Sequence, residues 1–256
     1  VTSVNHIAGT LELGSFVLST RSFGSTGTTA RTINFGTGNI TIDNNGISTT
    51  IWNTSTNTNL TISGTPLVIT KCSGAISTTT MTVSTGALSE ANSISFQLND
   101  TTSLGKIEFS VGSVVRNLTL NGNMPLSTPF GITIYGNYTY ISGTITATAY
   151  AWTFAGTSGT KTISTGATTH DLPFTLDGAG STFLLDTNLT LGATRVLTLT
   201  NGTFDQNAKT ITSANTTVVT GSVTVNNLNI SSLVHTSGTL TLGTAATVTS
   251  SLKLIV

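Results

Sequence analysis

Among 256 residues there are one cysteine, four prolines, two methionines, nine basic and nine acidic side chains. Each shortage removes a class of protein. The single Cys72 cannot close an internal disulfide, so this is not a disulfide-stapled secreted module. With no His or carboxylate near it in sequence, Cys72 reads as a small buried hydrophobe. Charged residues make up 7% of the chain and the formal net charge is +0, against about 25% charged in an ordinary soluble domain. Without a Lys/Arg cluster there is no footprint for nucleic acid, whose phosphates need several basic groups on one face. No apolar run approaches the roughly eighteen residues of a membrane span. The opening residues, Val1 to His6, lack the charged and apolar regions of a signal peptide, and the missing initiator methionine suggests a processed chain or a fragment.

Helix formers are scarce too: the glutamates are Glu12, Glu90 and Glu108, and no window is rich in Ala, Glu, Lys and Leu together. What fills the chain is threonine, roughly a fifth of it, with Val, Ile, Asn, Ser and 26 glycines. Thr is β-branched and suits a pleated, half-buried surface, and its hydroxyl supplies the solubility that charge does not. At 37% apolar the chain is too hydrophobic for a disordered tail and long enough to bury a core.

Period-two alternation runs from end to end, as in Asn39-Ile40-Thr41-Ile42, Asn59-Leu60-Thr61-Ile62, Asn117-Leu118-Thr119-Leu120 and Asn188-Leu189-Thr190-Leu191. Between these runs stand Asn45-Gly46, Asn121-Gly122 and Asn201-Gly202, which favour tight turns. Short strands at near-regular spacing predict an all-β architecture. Gly9-Thr10-Leu11-Glu12 aligns with Gly202-Thr203-Phe204-Asp205, and Gly202, Gly221 and Gly238 mark closely placed copies of the same start. Repetition of this kind predicts one segment over 1–256, a parallel β-helix or β-solenoid of roughly 20-residue coils, about a dozen of them. Apolar residues of the Asn-Leu-Thr-Leu units would face inward and Thr hydroxyls outward or in ladders. Tandem β-sandwiches, which also carry short strands and frequent turns, are the alternative.

The stretches 9–14, 32–42 and 197–205 (Gly-Thr-Leu-Glu-Leu-Gly, Thr-Ile-Asn-Phe-Gly-Thr-Gly-Asn-Ile-Thr-Ile and Leu-Thr-Leu-Thr-Asn-Gly-Thr-Phe-Asp) resemble repeats of phage tail-fibre and virion appendage proteins and of secreted bacterial adhesins. That resemblance implies a non-enzymatic structural or adhesive role on a virion or a cell surface, facing a host glycan or receptor. Near-zero net charge gives such rods no self-repulsion, so homo-oligomers are expected, with a parallel trimer as the form that the resemblance to viral fibres implies and a head-to-tail filament as the alternative. The apolar close, Ser251 to Val256, carries no polar cap and adds to the expectation of further coils or partner chains.

Tailspike-like β-helix enzymes are the chemical alternative, and glycan hydrolysis needs two carboxylates about 5 to 9.5 Å apart. Only the stretch with His170, Asp171, Asp177 and Asp186 is dense enough to consider, and Asp177 and Asp186 are its candidate carboxylates. The simpler reading makes them solvated turn residues, with a turn at Asp177-Gly178. At coils of this length Asp186 and Asp205 are the pair that would stack. No catalytic residue is assigned. His6, His170 and His235 are isolated and no Cys/His spacing matches a zinc site, so neither a metal nor a cofactor is expected. Tyr138, Tyr140, Tyr150 and Trp152 crowd one region, each pair separated by one residue and so directed to one strand face. Core filling or packing on a neighbouring subunit is the simpler account; a platform on which sugars stack is the functional one. Thr-x-Thr triplets, as at 198–200, 210–212 and 239–241, are spaced too irregularly to place one triplet at the same point of every coil, which argues against ice binding.

Overall fold

The computed structural model of the chain describes residues 3–44, 49–71, 80–101, 105–123, 125–213, 217–227, 229–245 and 247–254. Cys72, the Asn45-Gly46 turn and the final Ile255 and Val256 lie outside them. The described chain is nearly all β and is built as a parallel β-solenoid, with about ten turns in all. Its contacts divide it into two compact units, Val1–Ile132 with Ile141–Thr146, and Thr133–Tyr140 with Ala147–Val256.

In the first unit a coil makes three passes. Val4–Asn5, Gly9–Glu12 and Val17–Thr20 form the first coil; Phe23–Gly24, Arg31–Asn34 and Asn39–Ile42 the next; Thr50–Asn53, Leu60–Ser63 and Leu67–Thr70 the third. Like strands pair in parallel and in register, so that Leu11 lies beside Ile33 and Ile33 beside Ile62, while Thr10, Thr32 and Thr61 form a column on the opposite face. The alternation that marks these strands in the sequence therefore sorts one face to the core and one to solvent. In the fourth coil the middle strand gives way to a short 3-10 turn, Glu90–Asn92.

Coil length varies more than a 20-residue period allows. Leu18 pairs with Ile40, Ile40 with Val68, Val68 with Phe96 and Phe96 with Leu118, which gives coils of 22 or 28 residues. Longer coils put extra residues into the corners and leave the strands aligned, so the turns are fewer than the dozen the sequence suggests.

Along the axis of this unit runs an aromatic column. Phe23 stacks on Trp52 at 4.7 Å, and Trp52 meets Phe96, and Phe96 Phe109, edge to face at 5.9 and 5.7 Å. All four rings are buried. The same unit buries a cation, Arg31, 1% exposed. Its guanidinium donates to Ser25 O and Oγ, to Thr29 O, and to Thr56 O and Thr58 O at 2.8 Å each. Those carbonyls belong to the loops of two successive coils, and their dipoles take the place of a carboxylate partner.

In the second unit, the start of the strand Tyr138–Ser142, then Gly159–Ser164, the second half of Phe174–Leu185, Leu197–Asp205 and Thr217–Asn226 follow one another in a parallel sheet, and Thr169–His170, Leu189–Leu191 and Ile211–Thr212 make another. Trp152–Phe154 pairs with the first half of Phe174–Leu185 and Gly159–Ser164 with its second half, so one long strand serves two faces of the coil. The bend between the halves falls at Asp177 to Ser181. Asn201-Gly202 lies inside Leu197–Asp205. Neither Asp177-Gly178 nor Asn201-Gly202 is thus the tight turn its sequence favours. A parallel solenoid has no hairpins to close, and these glycines bend a strand without reversing it.

Candidate functional site

Three places in the described chain bring together residues with chemistry to offer, and the first is the aromatic cluster of the second unit. Trp152 stacks over Phe174 at 6.1 Å, and Tyr138 meets Trp152, His170 and Phe174 edge-on. Tyr138 and Trp152 are both 0% exposed, so neither offers a ring face to a sugar. The stacking platform drawn from the four aromatic residues is corrected on that ground: Tyr138 and Trp152 fill the core, Tyr140 is half-buried with its edge towards His170, and only Tyr150 is well exposed. Tyr150 also lies outside the strand Trp152–Phe154, so the one-residue spacing does not set the two on one strand face.

His170 joins this cluster through both ring nitrogens. Nδ1 lies 2.9 Å from Thr168 O, which only accepts, so Nδ1 carries the hydrogen; Nε2 then accepts the Tyr138 hydroxyl at 2.7 Å. Burial lowers the His170 pKa and the Thr168 carbonyl opposes that shift only in part. Burial likewise holds the Tyr138 phenol well above its ordinary value, with the nearby Tyr140 adding to it. Both groups are neutral, bonded to each other and closed off, which is a packing arrangement and not an acid–base pair open to substrate.

The carboxylates form the second place, and they are spread out. Asp177 accepts from Asn201 Nδ2 at 2.6 Å, Asp171 pairs with Arg195 at 2.7 Å, and Asp205 accepts from Asn227 Nδ2 at 2.9 Å. Asp186 is exposed, and its backbone N–H donates to Ile163 O. In register, Asp205 lies beside Leu184 and Asp177 beside Asn201, so the expected Asp186–Asp205 stack is not formed. A coil of about 21 residues, not 19, displaces the two by a pair of positions. Among the described residues no group of three or more His, Cys, Asp or Glu gathers to hold a metal ion.

The third place is the outer face of the second unit. Thr160 pairs with Thr182, Thr182 with Thr203, Thr203 with Thr224 and Thr224 with Thr241: one threonine column over five coils. The intervals in sequence are uneven because the coils are. Flanking positions do not repeat in the same way, being Asn201, Ser222 and Thr239 on one side and Leu184, Asp205 and Asn226 on the other. The face is therefore a single hydroxyl rank between mixed polar neighbours.

At one edge of that face is a cavity of about 350 Å³ lined by Gln206, Ala208, Lys209, Thr210, Ile211, Asn229 and Ile230. Sequence reasoning missed these residues. The one signal for them is a difference in corner length, six residues from Asp205 to Ile211 against four from Asn226 to Ile230, which has meaning only once Asp205 and Asn226 are known to be paired.

Fold and surface together define a parallel β-solenoid repeat protein. Comparison with protein-family models, with curated proteins and with solved structures finds no match to this chain.

Proposed function

We propose that the chain is a non-enzymatic structural and adhesive protein of a viral fibre, a phage tail fibre or virion appendage, that presents its surface for host attachment. The observation that carries this reading is the outer face just described: an in-register hydroxyl column, with Asp177 and Asp205 beside it tied to asparagine amides. Such a face offers many weak, similar hydrogen-bonding groups, as multivalent attachment requires. Asp177 and Asp205 each accept from an asparagine of the next coil, and in register neither lies beside a second carboxylate, whereas glycoside hydrolysis calls for two working as a pair. A secreted bacterial adhesin or filament subunit would use the same face on a different carrier.

Homo-oligomers, a parallel trimer or a head-to-tail filament, belong to this proposal. A net charge of +0 gives no self-repulsion between copies, and Phe16, Val111 and Phe130 are exposed by 77%, 70% and 52%. Sedimentation of the purified chain at micromolar concentration is expected to show species larger than a monomer. For attachment, fluorescently labelled protein is incubated with a panel of bacterial cells; saturable retention on a subset, competed by their isolated surface polysaccharide, is the expected result. Retention on none, or on all alike, defeats the reading.

A further inference from the structure

We propose that the cavity between Gln206 and Ile230 binds one carboxylate-bearing sugar residue, a hexuronate or a sialic-type acid. This rests on the attachment reading and assigns it a ligand class. The cavity lies where two successive coils turn the same corner. After the strand Leu197–Asp205 the chain loops outward through Asn207 and Ala208, both left-handed at φ 52 and 54. The next coil turns the same corner more tightly through Asn227, at φ 51. The cavity is lined from both corners, by residues between Gln206 and Ile211 on one side and by Asn229 and Ile230 on the other.

Gln206 holds the walls in place. It is 1% exposed, its Nε2 donates to Lys209 O and Asn229 O, and its Oε1 accepts from Asn229 N at 2.6 Å. With both amide hydrogens and an oxygen lone pair engaged, Gln206 fixes the geometry of the walls. The Lys209 ammonium, the Thr210 hydroxyl and the Asn229 carboxamide have no side-chain partner among the described residues, and Lys209 is the one charged residue in the lining. Ile211 and the buried Ile230 add apolar surface.

That inventory selects the ligand. Apolar surface at the wall suits the C–H face of a pyranose, an amide and a hydroxyl suit its hydroxyls, and one cation without an anionic partner suits a single carboxylate. A phosphate would call for more N–H donors or an arginine, and none lines the space. The volume is at the small end for ligand pockets, which limits the occupant to about one ring.

The test is a titration of the isotope-labelled full chain, followed by NMR, with methyl β-D-glucuronide, with the methyl glycoside of N-acetylneuraminic acid, and with neutral methyl β-D-glucoside. Expected are saturable shifts confined to residues 206–211 and 229–230, with one of the acidic sugars bound roughly tenfold tighter than the glucoside, the effect of one charge-assisted hydrogen bond. Lys209→Gln, a change on the outer loop, should remove that preference, and Asn229→Ala should weaken all binding. No saturable shift with either acidic sugar, shifts elsewhere, or equal affinity for glucoside and acids overturns the proposal on the wild-type chain alone. Cell attachment without acidic-sugar binding would defeat the cavity and leave the attachment reading; acidic-sugar binding without attachment would do the reverse.

Discussion

Arg31→Ala is expected to destabilise the first unit by about 3 kcal/mol. The guanidinium reaches five oxygen acceptors, and its contacts with Ser25 O and Oγ are fully buried. Removing it leaves those acceptors without a donor, at about 1–3 kcal/mol for a buried polar group so orphaned. The contacts to Thr29, Thr56 and Thr58 are only partly buried, so water replaces much of what is lost there, at a few tenths of a kcal/mol each. The void left by the side chain adds about 1 kcal/mol, and relief of the cation's desolvation takes part of the total back. Arg31→Lys keeps the charge but cannot reach Ser25 and both Thr56 and Thr58 at once, and should cost about 2 kcal/mol. Urea unfolding followed by tryptophan fluorescence in a Trp152→Phe background isolates Trp52, which is buried in the first unit. A loss below about 1 kcal/mol for Arg31→Ala would refute the view that this cation ties two coils together.

Three more outcomes follow from the packing. His170 has a lowered folded pKa, so the unfolded chain takes up its proton first: stability present above about pH 6.5 is lost as pH falls from there toward the folded value, by at most about 1.4 kcal/mol per pH unit, and His170→Gln should flatten urea midpoints over that window. Leu118→Asp and Leu189→Asp each place a carboxylate where a leucine is 0% and 1% exposed, and each should cost about 4 kcal/mol or more by thermal or urea unfolding. Gly36→Ala sets a Cβ against the Gly14 carbonyl at φ +54, and a loss of about 2 kcal/mol in the same assay is expected.

The strand parity of this fold is legible in the sequence. Leu118, Leu120, Leu189 and Leu191 are all buried, as their Asn-Leu-Thr-Leu units require, and Thr119 and Thr190 between them are not. Arg31 shares its parity with Ile33 and Phe35 and so points inward, but a charged residue at a strand start reads as solvent-facing until the carbonyls that surround it are known. Coil length was not legible, because a solenoid absorbs insertions at its corners without disturbing its rungs. Everything that depends on which coil lies next to which was hidden for the same reason. Tyr138 and His170 meet across 32 residues, five threonines align at uneven intervals, and the cavity beside Gln206 is lined from the corners of two successive coils.

The central functional claim is that this surface holds polysaccharide and does not cut it. Reducing ends released from a panel of bacterial and algal polysaccharides measure that most directly, with wild-type protein beside Asp177→Asn and Asp186→Asn. The account predicts no release above background for any of the three. Steady turnover by the wild type that either substitution abolishes would contradict it and make the protein a depolymerase.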